Sequence, residues 1–402
     1  TAFLDNIKKK TTLSFMGDIF EITPEGKKPF INDSRTILKR ALDFMKEKNI
    51  ADEFILGPEF EYYVLDHVSH WNEANSSGYN IDSFQAGWNS DELEDNIGYK
   101  VGHKDGYHRD APYDLFRDLR SDISLEIEKL GIDVKYHHHE VGGPGQHEIE
   151  TKRTAANKMG DASMLIKYFV KNMAFRRGRS ATFMPKPIYG EAGNGFHVHM
   201  QLFKDGKSLF NGPEDNYAGL SETALHFMGG VLKHTPALMG ITAPSTNSYK
   251  RLVKGYEAPV AICFATSNRS AVIRIPGYAT APEKKRFEFR PSDASGNPYL
   301  TFASLLMAGL DGIENEIDPT EEGYGPIDQN VYEMDEEESH LEFLPGSLDE
   351  ALQALKDDHE FLKRGNIFTE ELINSWINIK KKESQKVKTM PNPREFEMYY
   401  DV

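Results

Sequence analysis

The chain has 402 residues, of which 39% are hydrophobic and 27% charged, a composition typical of a globular protein with one large domain or two smaller ones. Its net charge of −16 argues against a general nucleic-acid binder, because such a protein carries a basic face. One cysteine excludes an intrachain disulfide, and no apolar run is long enough to cross a bilayer, so we expect a cytoplasmic protein with no nucleic-acid or membrane partner.

The predicted helices and strands alternate irregularly, which favours an α+β fold over a regular doubly wound sheet. In the first half, the sequence predicts strand-like residues 12–20, a helix capped by Ser34, a strand over 57–65, a polar irregular segment over 72–104, a helix from Pro112 to Gly131, and strands over 132–139 and 148–152. In the second half, it predicts helices over 161–176 and 221–233, strands over 197–203, 271–275 and 286–290, a long apolar helix that begins at Asn297-Pro298, and a mostly helical end.

Four strand-like stretches carry acidic or imidazole side chains, some with arginines, on alternate residues. They are Glu59-Phe60-Glu61, His197-Val198-His199, Arg286-Phe287-Glu288-Phe289-Arg290, and the run from His137 to Glu140 that leads on to Glu148. Alternate residues of a strand project to the same face. Buried charge is costly unless it is paired or bound to a metal. We therefore predict a polar cavity whose ligands are divalent cations and a phosphorylated substrate.

The candidate metal ligands are five carboxylates and one imidazole: Glu59, Glu61, Glu140, Glu148, His197 and Glu288. This mostly hard, oxygen-rich set suits Mg²⁺ or Mn²⁺ better than a structural zinc. Taken alone, each motif leaves an alternative open. Glu59 and Glu61 could form a solvated face, and His197 and His199 could be hydrogen-bonded core histidines. For His137 and His138, a structural role is favoured over ligation, because strand alternation cannot point the whole His137-His138-His139 run inward.

Five arginines fall between residues 251 and 290: Arg251, Arg269, Arg274, Arg286 and Arg290. Arginine stays charged in any site and binds carboxylate or phosphate in a fork. Surface ion pairs would explain any one of them, but together with the acidic stretches they favour an anionic ligand beside metals. Glu257 lies in a turn-rich loop, Gly255-Tyr256-Glu257-Ala258-Pro259, that could move as a lid.

Taken together, these stretches resemble the type I glutamine synthetases over essentially the whole chain and in the same order. The matching segments are Gly57-Pro58-Glu59-Phe60-Glu61, His138-His139-Glu140-Val141 with Gly145-Gln146-His147-Glu148, Gly195-Phe196-His197-Val198-His199-Met200, Asn247-Ser248-Tyr249-Lys250-Arg251 with Gly255-Tyr256-Glu257-Ala258-Pro259, Asn268-Arg269-Ser270 with Arg274-Ile275-Pro276, and Arg286 to Arg290. The resemblance implies that residues 1–402 form the catalytic domain. In it, a curved, mainly antiparallel sheet forms the active-site cavity, helices flank the sheet, and about 345–402 are a helical end.

The resemblance also implies a role for each site residue. Glu61, Glu140 and Glu148 are similar to the ligands of the metal nearer glutamate, and Glu59, His197 and Glu288 to those of the metal that bridges the ATP phosphates. Gly193, Arg251 and Arg290 resemble the glutamate contacts. Arg269 resembles the catalytic arginine at the transferring phosphoryl group, and is counted with His199, Arg274 and Arg286 among the nucleotide-binding residues. Glu257 resembles the catalytic flap carboxylate that helps take a proton from ammonium.

The activity that the resemblance implies is the ligation of ammonia to the side-chain carboxylate of L-glutamate. The reaction consumes ATP, uses two or more Mg²⁺ or Mn²⁺ ions and passes through γ-glutamyl phosphate to glutamine, ADP and phosphate. The implied assembly is a homo-oligomer of stacked hexameric rings. The alternatives are a γ-glutamyl ligase for a larger amine and a non-catalytic structural or regulatory relative.

Several departures from the family pattern bear on these expectations. An N-terminal β-grasp domain is expected to be absent from this chain, which on its own should then be less active than a form that carries it. Ala192 stands where an asparagine that contacts glutamate is usual, with Asn194 two residues later. Lys135 stands where a nucleotide-contacting glutamate is common. Tyr332 resembles the tyrosine that is adenylylated in some relatives, although nothing near it indicates the modification.

Overall fold

The computed structural model describes residues 1–93, 96–256, 258–329, 331 and 341–401. Its strands are β1 (Ala2–Leu4), β2 (Leu13–Phe15), β3 (Phe20–Thr23), β4 (Gly26–Pro29), β5 (Glu53–Leu65), β6 (His67–Glu73), β7 (Ser76–Asp82), β8 (Val134–His139), β9 (Gln146–Thr151), β10 (Thr154–Ala155), β11 (Ser180–Thr182), β12 (Val198–Lys204), β13 (Lys207–Ser208), β14 (Ala261–Thr266), β15 (Ala271–Ile275) and β16 (Phe287–Phe289). Its α-helices are α1 (Ser34–Glu47), α2 (Arg117–Glu128), α3 (Ala156–Arg176), α4 (Glu222–Lys233), α5 (Thr235–Thr242), α6 (Ser248–Arg251), α7 (Pro298–Glu314), α8 (Leu348–Asp357), α9 (Glu360–Lys363), α10 (Glu370–Lys388) and α11 (Pro393–Tyr399).

One ten-stranded sheet organises the fold. Its main path runs β14-β15-β16-β12-β5-β9-β8, with β10 and β11 beside β5 and β13 beside β12. The pair β14–β15 is parallel, whereas the other described pairs of the sheet are antiparallel. The expectation of an α+β fold with a mainly antiparallel sheet is therefore confirmed.

Strand β5 lies between the two halves of the sheet and pairs with both. Its first half pairs with β12 and its second half with β9, and nearly all of its side chains are buried. The register places Glu61 opposite Glu148 and Glu59 opposite Glu150. Directly opposite residues of an antiparallel pair face the same side of the sheet, with side chains about 5 Å apart. The pairing thus concentrates carboxylates on one face.

Helices cover the sheet and supply most of the core. The apolar stripe Ile37, Leu38, Ala41 and Met45 of α1 is buried, as the periodicity predicts. The predicted cap was one residue too late: the Asp33 carboxylate accepts the N–H of Thr36 at 3.0 Å, and Ser34 is the first helical residue.

Helix α7 is buried along almost its whole length. It packs so closely on α4 that a Cβ at Gly230 would lie only 2.1 Å from the carbonyl oxygen of Ala308. None of the helices in the described ranges has the length and apolar character that a bilayer-spanning segment needs.

Two segments differ from the sequence prediction. The polar segment 72–104 overlaps a hairpin, β6–β7, whose strands are largely exposed on both faces and so lack the alternation that marks a half-buried strand. The helix predicted from Pro112 begins at Arg117. Before it, Asp110 and Asp114 accept backbone N–H groups of Ala111 and Phe116, and such local bonds compete with a helical turn.

Candidate active site

A cavity of about 430 Å³ lies where the acidic strands meet the arginine-rich segment. The predicted site residues that line it are Glu59, Glu61, Glu140, Glu148, Gly193, His197, Arg251, Arg269, Arg274 and Arg290. They come from segments far apart in sequence, so the tertiary fold brings together what the chain keeps separate. His199, Arg286 and Glu288 lie directly behind this lining and contact it or its neighbours.

One group of predicted ligands is the first acidic set, which we define as Glu59, His197 and Glu288. One potential ligand atom from each of its residues lies within 4.8 Å of the others. Nδ1 of His197 is 3.0 Å from Oε2 of Glu59 and 3.3 Å from Oε1 of Glu288. The three side chains are buried or nearly so, which leaves little water to screen their charges.

Glu288 is ionised despite complete burial. Burial and the nearby Glu59 raise the pKa of Glu288, but Arg290, together with His199 and His197, lowers it to about 2. Nη1 of Arg290 lies 2.5 Å from Oε1 of Glu288, and Nη1 of Arg274 lies 2.8 Å from Oε2. The carboxylate thus fixes two arginines at the edge of the cavity.

Glu59 is held charged by two imidazoles. Burial again raises its pKa, but hydrogen bonds with His197 and His199 prevail and hold the pKa of Glu59 well below its usual value. Nε2 of His199 lies 2.9 Å from Oε1 of Glu59. Among the described residues, Nδ1 of His199 and Oε2 of Glu150 are buried polar atoms without a hydrogen-bond partner.

The second acidic set comprises His138, Glu140 and Glu148. Their candidate ligand atoms also lie within 4.8 Å of one another, and Nε2 of His138 is 3.6 Å from Oε1 of Glu148. Burial, reinforced by Glu59, Glu140 and Glu61, raises the pKa of Glu148 well above its usual value. A divalent cation would stabilise such a cluster of buried carboxylates in their charged form. Carboxylates with an imidazole are suitable ligands for Mg²⁺ or Mn²⁺. The residues present therefore fit a metal centre.

Glu61 lies between the two sets. Its Oε2 accepts the backbone N–H of Gly195 at 2.7 Å, and its Oε1 lies 3.8 Å from Nε2 of His197.

The Gly142-Gly143-Pro144-Gly145 segment forms the predicted tight reversal, with a φ of +106° at Gly145 that favours glycine. Nδ1 of His139 donates to the Glu140 carbonyl at 2.7 Å while its Nε2 accepts from Gln85, which fixes the chain at Glu140.

The arginines are held by backbone carbonyls as well as by acids. Arg251 donates from Nη1 to the carbonyl of Pro291 and from Nη2 to that of Arg290, each at 2.9 Å, and its Nη2 also lies 3.2 Å from Nε2 of His197. Arg286 donates from Nη2 to the hydroxyl of Tyr278 at 3.0 Å. The guanidinium of Arg269 lies 5.6 Å from the ring centroid of Tyr107.

Sequence reasoning missed several cavity residues. His138, which it assigned to a structural role, lines the cavity together with Lys104, Tyr107, Tyr136, Gln146 and Tyr278. The sequence does contain a signal for His138, because it lies two residues before Glu140 and strand alternation places both on the same face. The other residues have no distinguishing spacing and reach the cavity through loops or through cross-strand neighbours. Glu257 and Tyr332 lie outside the described residues.

The family model for the glutamine synthetase catalytic domain matches residues 31–399. The chain belongs to the glutamine synthetase family. It is 46% identical over 404 residues to glutamine synthetase of Streptomyces coelicolor, covering all of this chain and 85% of that protein. It is 45% identical to glutamine synthetase of Pasteurella multocida, again over all of this chain and 84% of the relative. The chain is therefore an enzyme, a glutamate–ammonia ligase that forms glutamine with ATP and divalent metal.

Solved structures agree with this assignment. The cryo-EM structure of Plasmodium falciparum glutamine synthetase superposes with a TM-score of 0.88 at 29% identity, covering all of this chain and 84% of that one. A complex of GmaS with ADP gives a TM-score of 0.75 at 30% identity, covering 93% of this chain and 79% of that one. Membership of the glutamine synthetase family and the fold of its catalytic domain are both confirmed.

Two departures from the glutamine synthetase pattern have a structural context. Ala192 lines the cavity, whereas the side chain of Asn194 is buried and bonded to Gln146 and to the Met184 carbonyl, so it does not replace the usual asparagine. Lys135 forms an ion pair with the buried Glu150 at 2.7 Å. The positive charge of Lys135, which replaces the usual negative charge of the family pattern, is thus neutralised by Glu150 of this chain.

Proposed function

We propose that this chain joins ammonia to the side-chain carboxylate of L-glutamate by way of γ-glutamyl phosphate. The observation that carries the proposal is the convergence of the first and second acidic sets with four arginines around one cavity. Phosphoryl transfer needs alignment and charge neutralisation more than it needs covalent chemistry from the protein. A cavity built from carboxylates, imidazoles and guanidinium groups supplies both.

The proposed metal ligands are those that the sequence predicted. Glu59, His197 and Glu288 would hold the ion at the ATP phosphates, and Glu61, Glu140 and Glu148 the ion nearer glutamate, with His138 beside them. When bound, Mg²⁺ or Mn²⁺ ions neutralise the phosphate oxygens and help to align them for transfer. The raised pKa of Glu148 supports this assignment, because a group of buried carboxylates is stabilised by added positive charge.

The remaining predicted residues would hold the substrates. Arg251 and Arg290, with the backbone of Gly193, would bind glutamate, and Arg269 would stabilise the transferring phosphoryl group. The nucleotide would be bound by Arg269 with three further residues: His199, Arg274 and Arg286. A carboxylate oxygen of glutamate attacks the γ-phosphorus, ADP leaves, and ammonia then displaces phosphate from the acyl carbon.

The acyl phosphate must be kept from water while ammonia arrives. The loop beside Arg251 is placed to do this, since Gly255, Tyr256 and Ala258 line the cavity. We assign to Glu257, in the same loop, the removal of a proton from ammonium. Residues 1–402 would form the catalytic domain. The stacked hexameric rings that the resemblance implies and the cytoplasmic location expected from the composition stay predictions.

The test uses the full chain with glutamate, Mg²⁺-ATP and hydroxylamine, and measures γ-glutamyl hydroxamate and released phosphate. We expect both products to depend on glutamate and to be abolished in Glu288→Gln, prepared in parallel to exclude a contaminating enzyme. Absence of glutamate-dependent phosphate release would overturn the proposal. Faster turnover with an alkylamine than with ammonium would instead assign the chain to ligases for a larger amine.

A further inference from the structure

Strand β8 contains a bulge at Lys135. In the pairing of β8 with β9, Val134 lies opposite Thr151 and Tyr136 lies opposite Glu150. Lys135 is therefore the extra residue of the bulge. Regular alternation would send Lys135 and Tyr136 to opposite faces of the sheet, but a bulge changes the direction of a side chain. Here it lets both side chains reach the same carboxylate, that of Glu150.

Glu150 holds both of these side chains. Its Oε1 lies 2.7 Å from Nζ of Lys135, and the carboxylate is buried whereas the lysine is partly exposed. Burial and a hydrogen bond to Glu150 raise the pKa of the Tyr136 hydroxyl. Glu150 also lies opposite Glu59 of β5, and the positive charge of Lys135 offsets the repulsion between these two carboxylates. Lys135 and Glu150 therefore act as a unit.

A second tyrosine stands beside the first at this end of the active-site cavity. Nζ of Lys135 is 4.8 Å from the ring centroid of Tyr136 and 5.9 Å from that of Tyr278, so one ammonium group approaches both rings. Nη2 of Arg286 donates to the Tyr278 hydroxyl at 3.0 Å, which helps to fix the second ring. Both tyrosines line the cavity and are exposed. We refer to Tyr136 and Tyr278 as the tyrosine wall.

The tyrosine wall adjoins the charged part of the cavity. Tyr136 and His138 are alternate residues of β8, so they project to the same face about 7 Å apart. Their rings stack with centroids 5.8 Å apart. Nε2 of His138 in turn lies 3.6 Å from Oε1 of Glu148, in the second acidic set. The cavity thus changes from carboxylates to aromatic rings along β8, and ATP likewise has a charged triphosphate at one end and a flat base at the other.

We propose that the tyrosine wall contacts the base of ATP, with Lys135 and Glu150 as the positioning residues that hold the two rings in place. The proposal rests on the proposed function, because it assigns the triphosphate to the metal centres beside the wall. Every nucleobase has an aromatic face that can stack on a tyrosine ring. The wall therefore contributes affinity for the nucleotide and leaves the reacting phosphorus to the metals and arginines.

The first test measures by titration calorimetry how the full chain binds Mg²⁺-ATP and Mg²⁺-tripolyphosphate, which has three phosphates but no base. Tyr278→Leu and Lys135→Met remove the ring or the charge, whereas Tyr278→Phe and Lys135→Arg keep them. We expect Kd for ATP to rise roughly tenfold in the first two variants and to stay within about threefold in the other two, with Kd for tripolyphosphate unchanged throughout. An unchanged Kd for ATP, or an equal rise for tripolyphosphate, would overturn the proposal.

The second test uses Glu150→Gln, which keeps the shape of the side chain but removes the charge that holds Lys135. We expect KM for ATP to rise roughly tenfold and KM for glutamate to stay within about threefold. The control is Lys380→Met on α10, where a lysine likewise pairs with an acid, Glu383 at 2.8 Å, and lies 5.1 Å from the ring centroid of Trp376. This variant should keep both KM values.

Equal rises of both KM values in Glu150→Gln would show that Glu150 only stabilises the fold, and the positioning role would be refuted. The binding test also separates this proposal from the proposed function. If the wild type bound ATP through the tyrosine wall but released no glutamate-dependent phosphate, the proposed function would fail and the wall would stand.

Discussion

Nδ1 of His197 donates a hydrogen bond of 3.0 Å to Oε2 of Glu59. The direction of this bond follows from Arg251, whose Nη2 lies 3.2 Å from Nε2 of the same ring. A guanidinium can only donate, so Nε2 accepts and the ring proton is on Nδ1. The same Nδ1 is 3.3 Å from Glu288, so two buried carboxylates approach one N–H group. This arrangement stabilises two anions less than a divalent cation would.

The first prediction is that Mg²⁺ stabilises the folded chain through the first acidic set. At a Mg²⁺ concentration about 100 times the dissociation constant, binding to the folded state should add roughly 2.7 kcal/mol to the free energy of unfolding. Thermal unfolding with and without Mg²⁺ measures the effect, and the part of it that comes from the first acidic set should be lost in Glu59→Gln. The control is His359→Gln, in an exposed His359–Glu360–Glu370 group of similar spacing, which should keep the full shift. An equal shift in Glu59→Gln would contradict the assignment.

The second prediction separates two neighbouring histidines. His138 lines the cavity beside Glu148, whereas Nδ1 of His137 lies 3.4 Å from Nε of Arg120. Loss of a side chain that orients metal ligands typically lowers metal affinity or activity by about 10- to 100-fold. We therefore expect His138→Asn to lower activity or raise the Mn²⁺ requirement by this amount, and His137→Asn to change either by less than about threefold. Steady-state rates over a Mn²⁺ titration distinguish the two, and similar losses in both variants would refute the distinction.

The third prediction concerns glutamate affinity. The guanidinium of Arg251 donates to two backbone carbonyls at once, a fork that a lysine ammonium cannot reproduce. Arg251→Lys should raise KM for glutamate by roughly 10- to 100-fold and leave KM for ATP within a few-fold. Arg177→Lys, at an exposed ion pair with Asp122, is the matched control and should behave as wild type. A larger change in KM for ATP than for glutamate would place Arg251 at the nucleotide instead.

The fourth prediction is a pH dependence of stability at His234, outside the active site. Its Nε2 lies 3.0 Å from Asp311 and its Nδ1 2.7 Å from Asp358. Burial alone would lower the pKa of His234, but hydrogen bonds with Asp311 and Asp358 raise it above 6.5. A raised folded-state pKa means that this stabilisation is complete below about pH 6.5 and is lost as the pH rises through the folded pKa.

His234→Gln should therefore lower the free energy of unfolding by roughly 1 to 3 kcal/mol at about pH 6 and by less at about pH 9. Urea unfolding at both values measures the difference, and His67→Gln at an exposed histidine serves as the control. Arg364, which pairs with Asp311, and nearby Lys233 act on Asp311 in the variant and in the wild type alike. An identical loss at both pH values would show that His234 is not protonated in the folded protein.

The sequence by itself determined the local features. The buried stripe of α1 follows from a periodicity of apolar residues that is read within a few turns. The alternation Glu59-Phe60-Glu61 likewise places both carboxylates on one face, because the side-chain period of a strand is two residues. Identification of the family rested on the order of such motifs along the chain.

Only the tertiary structure decided which side chains meet. The register of β5 with β9 sets Glu61 opposite Glu148, and a slip of one residue would turn the carboxylates of one strand to the other face. His138 reaches the cavity, and Lys135 approaches the ring of Tyr278, through pairings between segments that no local pattern connects. The physical reason is that local propensity fixes the direction of a side chain within its own element, whereas its neighbours are fixed by long-range packing.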